Sequence, residues 1–258
     1  MTTRTREYYH ARLSPARGTA ISLAVFCAFV TAGGVVATPL AGLAAAELTS
    51  ASAVVLAVIV MLGQRDWRDG LFLHRAQPRA WLAASLLGLS MWLVNRRITM
   101  FIAQHVALPT DHPALDAVVL APPLVTALVC VAVLPAVCEE LWFRGFWLRN
   151  CVSRWPRLVA VVFVSVGFSA FHVSWAQASA TLVLGILLGL LTLQSKSVGP
   201  AMWAHMLNNT MVILASRHEL PWISNSVANH PTLSTGIACG VALCGIVLMA
   251  WPRSAANA

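Results

Sequence analysis

The stretch LVTALVCVAVLPAVCEELWFRGFWL at residues 124–148 decides the fold. A helix needs about 20 mainly apolar residues to cross the hydrocarbon core of a bilayer, and this stretch is longer than that. Lipid offers the backbone no hydrogen bonds, so only helices and closed barrels span it. The stretch is rich in Leu, Val and Ala and lacks the alternation of polar and apolar residues that barrel strands show. It therefore predicts a transmembrane helix with charged residues in its second half.

The rest of the chain has the same character. Of its 258 residues, 59% are hydrophobic and 10% are charged, with a mean hydropathy of +0.75, whereas soluble domains carry about 25% charged residues. We therefore predict an all-α, polytopic transmembrane helix bundle of about eight spans. The predicted spans are 19–46, 50–63, 81–108, 124–148, 158–174, 176–193, 199–216 and 233–251.

Two segments of the N-terminal half leave a choice. Residues 64–80 combine arginines with aromatic and apolar residues, so they predict an interfacial loop or helix. The third span meets Arg96 and Arg97 before it ends. It either stops near Val94 or keeps these arginines in a polar interior.

The basic residues lie at the ends of the apolar runs and set a formal net charge of +8. Arg and Lys in alternate loops are typical of the cytoplasmic side of a membrane protein rather than of a nucleic-acid-binding surface. The alternation predicts that both termini are cytoplasmic and that nucleic acid is not a partner. The preference for arginine over lysine and the many alanines suggest a high-GC bacterium, so we expect the chain in the bacterial inner (cytoplasmic) membrane.

The fourth span contains two adjacent carboxylates that lipid should exclude. An acid at mid-span costs about 2.5–3.5 kcal/mol on an insertion scale, so such residues usually face the interior and serve a function. Glu140 and Arg144 are four residues apart and can pair on one helix face. Glu139 is rotated about 100° from Glu140, and its neighbour four residues on is Phe143. Glu139 is therefore the candidate general base, and a structural ion-pair cluster with Arg144 and Arg149 is the alternative.

Two later spans carry polar residues that can join Glu139. His172 lies in the fifth span, and His205 and Asn209 share a face of the seventh because they are four residues apart. A Glu and a His that share a water form a base, and a second His with an Asn carboxamide supplies donors for an oxyanion. Each group alone is also explained by polar contacts between helices. Together they predict a site that hydrolyses an amide without a covalent step.

The depths of these residues in the membrane do not match at first sight. At a rise of 1.5 Å per residue, Glu139 and His172 lie about 15 and 22 Å from the arginines that flank their spans. His205 follows Gly199 by only six residues. The side chains meet only if the fifth span is tilted or starts late, and we expect the site on the cytoplasmic side of the midplane.

Three short motifs stand in order on separate hydrophobic spans. They are Glu139-Glu140-xxx-Arg144, Phe168-xxx-His172 and His205-xxx-Asn209. They resemble the EExxxR, FxxxH and HxxxN motifs of the CPBP family, which includes the type II CaaX prenyl proteases and the bacteriocin-processing, Abi-type proteins. The resemblance covers residues 117–216, so we expect an N-terminal transmembrane region at 1–116 and a catalytic transmembrane domain at 117–258.

The resemblance also implies an activity and a set of roles. It implies an eight-helix bundle that acts as an endopeptidase on a membrane-anchored protein or peptide within the lipid bilayer. Glu139 would be the general base, with His172 helping to hold the attacking water. His205 and Asn209 would stabilise the oxyanion. Supporting or structural roles would fall to Glu140, Arg144 and Phe168.

Other readings of the same residues stay open. Glu139, His172 and His205 are also a conceivable zinc set, but the sequence has no HExxH, so we favour a mechanism without a cofactor. A non-catalytic membrane immunity, chaperone or scaffold protein of the same fold is a second reading. A proton-relaying transporter is a third, and the lack of an inverted repeat of broken helices argues against it.

Overall fold

The computed structural model describes residues 13–36, 38–62, 67–106, 117–172 and 175–250, and these residues form helices and turns without any strand. The helices are α1 (Pro15–Val35), α2 (Pro39–Leu62), α3 (Trp67–Gly70), α4 (Pro78–Val106), α5 (Leu124–Val152), α6 (Arg157–Phe171), α7 (Trp175–Ser195), α8 (Gly199–Ser216), α9 (Pro221–Asn229) and α10 (Pro231–Ala250). The predicted all-α bundle is confirmed. The predicted division into 1–116 and 117–258 stays a prediction, because residues 107–116 lie outside the described ranges.

Five of the described helices are long and apolar enough to cross a membrane. They are α1, α2, α5, α7 and α10, and α6 is a shorter apolar helix. The chain is therefore an integral membrane protein. The figure of about eight spans stays a prediction, since α4 and α8 carry many of the polar side chains of the interior.

The predicted boundary between the first two spans is wrong. The first span was predicted to end at Ala46 and the second to begin at Ser50, whereas α1 ends at Val35 and α2 begins at Pro39. Proline has no N–H and restricts the residue before it to extended backbone, so it suits the first turn of a helix and not its interior. As a consequence, Glu47 lies inside α2 rather than between two spans.

The chain between α3 and α4 packs into the bundle, and the predicted interfacial position of residues 64–80 stays a prediction because residues 63–66 lie outside the described ranges. Leu71 and Phe72 are fully buried, and Phe72 adopts the left-handed conformation with φ 54°. A methyl group at Gly145 of α5 would lie 3.0 Å from the carbonyl oxygen of Leu71. The amide of Val198 donates a hydrogen bond of 2.9 Å to the carbonyl of Phe72. This inserted segment (residues 71–74) therefore fixes where α8 begins.

The α4 helix is continuous across both of its arginines. It does not end near Val94 but continues to Val106. Arg97 contacts the chain around the start of α10. The Arg97 guanidinium donates to Thr235 Oγ1 at 3.0 Å and to the carbonyl oxygens of Val227 and Pro231, both at 3.5 Å. These acceptors replace water for a charge that lipid would exclude.

Small residues bring α8 close to α4. A methyl group added to Gly88 would lie 2.6 Å from the carbonyl oxygen of Ala204 and 2.7 Å from Cβ of Leu207. Such close approach of backbones is the usual way in which membrane helices pack, because lipid gives no hydrophobic drive to their association. It brings the His205 turn of α8 against the rest of the bundle.

Candidate active site

Helix α5 places both glutamates and Arg144 in the interior of the bundle. Glu139, Glu140 and Arg144 are 5%, 0% and 1% exposed. Arg144 Nη1 donates to Glu140 Oε1 at 2.7 Å, as the four-residue spacing predicted. Arg144 Nη2 also donates to the carbonyl of Gly185 in α7 at 3.3 Å. The pair therefore joins α5 to α7 and keeps a buried charge compensated.

His205 of α8 lies between the two carboxylates. Its Nδ1 is 3.0 Å from Glu140 Oε1, and its Nε2 is 3.9 Å from Glu139 Oε2. Because a carboxylate paired with Arg144 can only accept, Nδ1 carries the hydrogen of that bond. The geometry therefore fixes the imidazole ring from the Glu140 side and turns Nε2 toward Glu139.

His172 stands directly after the last residue of α6. Its Nδ1 lies 3.0 Å from the carbonyl oxygen of Phe168 and donates to it, so Nε2 is the nitrogen left with a lone pair. The Phe168 ring lies 4.2 Å from the Arg144 guanidinium carbon, and its centroid is 4.9 Å from that of His172 and 5.9 Å from that of His205. Phe168 therefore packs between the polar residues of three helices.

Asn209 is held apart from the glutamates by other partners. Its Nδ2 donates to the carbonyl of Val131 at 3.1 Å, and its Oδ1 accepts from Asn208 Nδ2 at 3.1 Å. Val131 lies in the π-helical stretch Leu128–Val133 of α5, just before Pro135, a residue without an N–H. Asn209 thus joins α8 to this irregular turn, and one hydrogen of its amide remains for another acceptor. Its assignment as an oxyanion donor stays a prediction.

Glu47 of α2 is a member of the cluster that the sequence analysis missed. It is 1% exposed, and its carboxyl lies against that of Glu139. Neither oxygen of Glu47 has a hydrogen-bond partner among the described residues. The signal was available, because an acid inside an apolar run is a candidate functional residue. The misplaced span boundary put Glu47 in a connection, where an acid needs no explanation.

The inserted segment (residues 71–74) links the position of α8 to that of α5. It contacts both Gly145 of α5 and the start of α8. Gly145 follows Glu139 by six residues, Gly199 precedes His205 by six, and the two side chains face each other. The expected tilt of the fifth span stays a prediction.

The described residues contain no group of three or more His, Cys, Asp or Glu side chains that is arranged to hold a metal ion. His205 Nδ1 is occupied by Glu140, and Nε2 stands 3.9 Å from Glu139 Oε2. The choice between a metal-free mechanism and the alternative zinc set of Glu139, His172 and His205 stays a prediction.

Comparison with known proteins gives one match. The family model described as type II CAAX prenyl endopeptidase Rce1-like matches residues 121–211. No curated protein and no solved structure matches the chain. The matched segment includes the predicted residues of all three motifs and excludes Glu47. At the level of the family, the match supports an intramembrane endopeptidase of the CAAX type. Residues 121–211, the segment that carries the predicted site, are therefore similar to that family over about a third of the chain.

Proposed function

We propose that this chain is an intramembrane endopeptidase that hydrolyses a peptide bond in a membrane-anchored protein or peptide with a water molecule activated by Glu139 and His172. The observation that carries the proposal is that Glu139 and His205 face each other inside the bundle, with Nε2 of His205 3.9 Å from Oε2 of Glu139, while the Phe168 ring packs against both His205 and His172. Polar groups are costly in this setting, and no single pair contact accounts for all of them. The family match supports the peptidase class.

The first step is the activation of water. His172 donates through Nδ1 to a backbone carbonyl, so its Nε2 accepts a hydrogen bond from the water. The Glu139 carboxylate takes the proton as the water oxygen attacks the carbonyl carbon of the scissile bond. The charge then moves to the carbonyl oxygen, which becomes the oxyanion of a tetrahedral intermediate.

The second step is the stabilisation of that oxyanion. Glu140 and Arg144 hold the His205 ring through Nδ1, so Nε2 points to the side of Glu139, where a hydrogen on Nε2 would be directed at the oxyanion. A donor aimed at developing charge contributes more than one that contacts only the substrate. The remaining amide hydrogen of Asn209 is the second predicted donor.

The third step is the collapse of the intermediate. The carbon–nitrogen bond breaks, and the proton that Glu139 took from water passes to the leaving amine. The carboxylate is then regenerated, and no covalent acyl-enzyme is formed. No metal is required by this sequence of proton transfers, and we propose that the enzyme works without one.

The bundle orientation supports cytoplasmic termini. Contacts join the start of α1 to the end of α5, since Trp147 Nε1 donates to Thr19 Oγ1 at 3.0 Å. Ser197, at the turn between α7 and α8, donates to the carbonyl of His74 at 2.7 Å. The basic residues Arg17, Arg79, Arg154, Arg157 and Lys196 belong to this same end. By the positive-inside rule this end faces the cytoplasm, and we propose a bacterial inner membrane protein.

Substitution of Glu139 with Gln tests the proposal. Wild-type and variant protein are reconstituted in liposomes and assayed with a quenched fluorogenic peptide that carries a prenylated CAAX sequence. In parallel, membrane and secreted proteomes of cells with either protein are compared for an uncleaved precursor. We expect the variant to lose at least 100-fold in kcat, since a general base contributes about 10²–10⁴-fold. We also expect its cells to accumulate a precursor.

The control is Cys138→Ala, which truncates a buried side chain in the same turn of α5. It should keep activity close to that of the wild type. If Glu139→Gln cells retain full biological activity and no precursor accumulates, the proposal is refuted in favour of a membrane immunity, chaperone or scaffold protein of the same fold.

A further inference from the structure

The site receives a carboxyl group from outside the segment that the family match covers. Glu47 lies on α2, about 90 residues before Glu139 in the sequence, and it is 1% exposed. Its contact with Glu139 joins the N-terminal region to the predicted catalytic base. The contact is not explained by stability, because a buried acid without a cationic partner costs free energy in a membrane helix.

Two buried carboxyl groups that lie side by side cannot both be ionised at little cost, because their like charges repel. One of them therefore keeps its proton, and only the protonated one can donate a hydrogen bond to the other. Glu139 must be ionised to take a proton from water, so in the reactive state the proton belongs to Glu47. Glu47 then donates to Glu139.

We propose that Glu47 is a positioning residue that holds the Glu139 carboxylate in place through this hydrogen bond, an inference that rests on the function proposed above. Glu139 Oε2 has no hydrogen-bond partner among the described residues, and His205 Nε2 is 3.9 Å away. The Glu139 side chain is therefore oriented mainly from the α2 side. A base that can turn away from the water loses rate rather than substrate affinity.

The activity test compares Glu47→Ala with Glu47→Gln in the liposome assay. The Gln amide has nearly the shape of a protonated Glu and donates the same hydrogen bond. We expect Glu47→Ala to lower kcat by about 10- to 100-fold with KM nearly unchanged, as losses of orienting hydrogen bonds do. We expect Glu47→Gln to restore kcat to within about fivefold of the wild type. A role in folding alone would not produce this split between kcat and KM.

Val54→Ala is the matched control for packing. Val54 is fully buried on the same helix, two turns beyond Glu47, and belongs to the apolar core. Its truncation should lower the unfolding temperature while kcat stays within about twofold of the wild type. The pair of α2 variants thus separates a loosened helix from a lost hydrogen bond.

A second measurement needs no substrate. Infrared difference spectra of wild-type protein against Glu47→Gln should show the loss of a protonated carboxyl stretch, and spectra against Glu139→Gln should show a shift of that stretch, because the acceptor of its hydrogen bond has changed. A carboxyl stretch that is unchanged in both variants would refute the shared proton.

The outcomes also distinguish this inference from the proposed function. An active Glu139→Gln variant refutes both. If Glu139→Gln is inactive but Glu47→Ala keeps the kcat of the wild type, the positioning role is refuted and the proposed function stands.

Discussion

Asn209 has a structural role that can be measured separately from the catalytic role predicted for it. Its side chain donates at 3.1 Å to the carbonyl of Val131, in the π-helical stretch of α5 that ends just before Pro135, a residue without an N–H. Replacing Asn209 with Ala removes this donor from a site inside the bundle. A polar group left unsatisfied in such a place costs about 1–3 kcal/mol. We therefore expect Asn209→Ala to lower the free energy of unfolding by about that amount.

Restoring the missing N–H of the backbone should cancel this loss. In Pro135→Ala the amide of residue 135 can donate to Val131, so Asn209 becomes dispensable for stability. Because Pro135→Ala changes helix propensity by itself, only the coupling free energy of a double-mutant cycle isolates the effect. We expect a coupling free energy of about 1–2 kcal/mol between the two substitutions, because the cycle isolates the single hydrogen bond to the Val131 carbonyl.

Activity in the same four proteins reports the other duty. If the remaining amide hydrogen of Asn209 stabilises the oxyanion, Asn209→Ala loses about 10²–10³-fold in kcat, and Pro135→Ala does not restore it. Stability is measured by thermal unfolding in detergent micelles, and kcat in liposomes. The reasoning is refuted if the stability coupling is below about 0.5 kcal/mol. Recovery of both stability and kcat in the double variant would refute the oxyanion role alone.

Three further outcomes follow from the same contacts. Arg144→Met leaves Glu140 buried without its cation, so we expect a stability loss of about 3–5 kcal/mol in thermal unfolding, with recovery in the double variant that also carries Glu140→Gln. Gly88→Ala forces a methyl group against the Ala204 carbonyl of α8, so it should lower the free energy of unfolding by about 1–3 kcal/mol and also lower kcat. The control is Gly236→Ala, which has open space around it and should leave stability unchanged or slightly raised. Treatment with EDTA or 1,10-phenanthroline should leave peptide cleavage unchanged, and a loss of activity that added zinc restores would overturn the metal-free mechanism.

The polar residues of the second half could be predicted because lipid makes them conspicuous. The pairing of Glu140 with Arg144 followed from a four-residue spacing that α-helical geometry fixes. The helical class followed from hydropathy alone. Neither needs any knowledge of how distant parts of the chain pack.

The partners of these residues could not be predicted in the same way. On α5 by itself, Glu139 has apolar surroundings, since Phe143 is its neighbour on the helix. In the bundle its carboxyl meets Glu47 from α2 and faces His205 from α8. Contacts between helices depend on rotation and depth, which periodicity does not specify. The helix break before Pro39 was not predicted, so Glu47 was placed in a connection and was not recognised as a partner of Glu139.

The depth of the site is set by backbone contacts rather than by the catalytic side chains. The inserted segment (residues 71–74) meets α5 at Gly145 and caps the first turn of α8 through the Val198 amide. These contacts fix where α8 begins relative to α5, and the six residues from Gly199 to His205 then bring the imidazole opposite the Glu139 carboxylate, with Nε2 3.9 Å from Oε2. The N-terminal half therefore contributes to the site in two ways. Glu47 supplies a side chain beside Glu139, and residues 71–74 fix the position at which α8 starts.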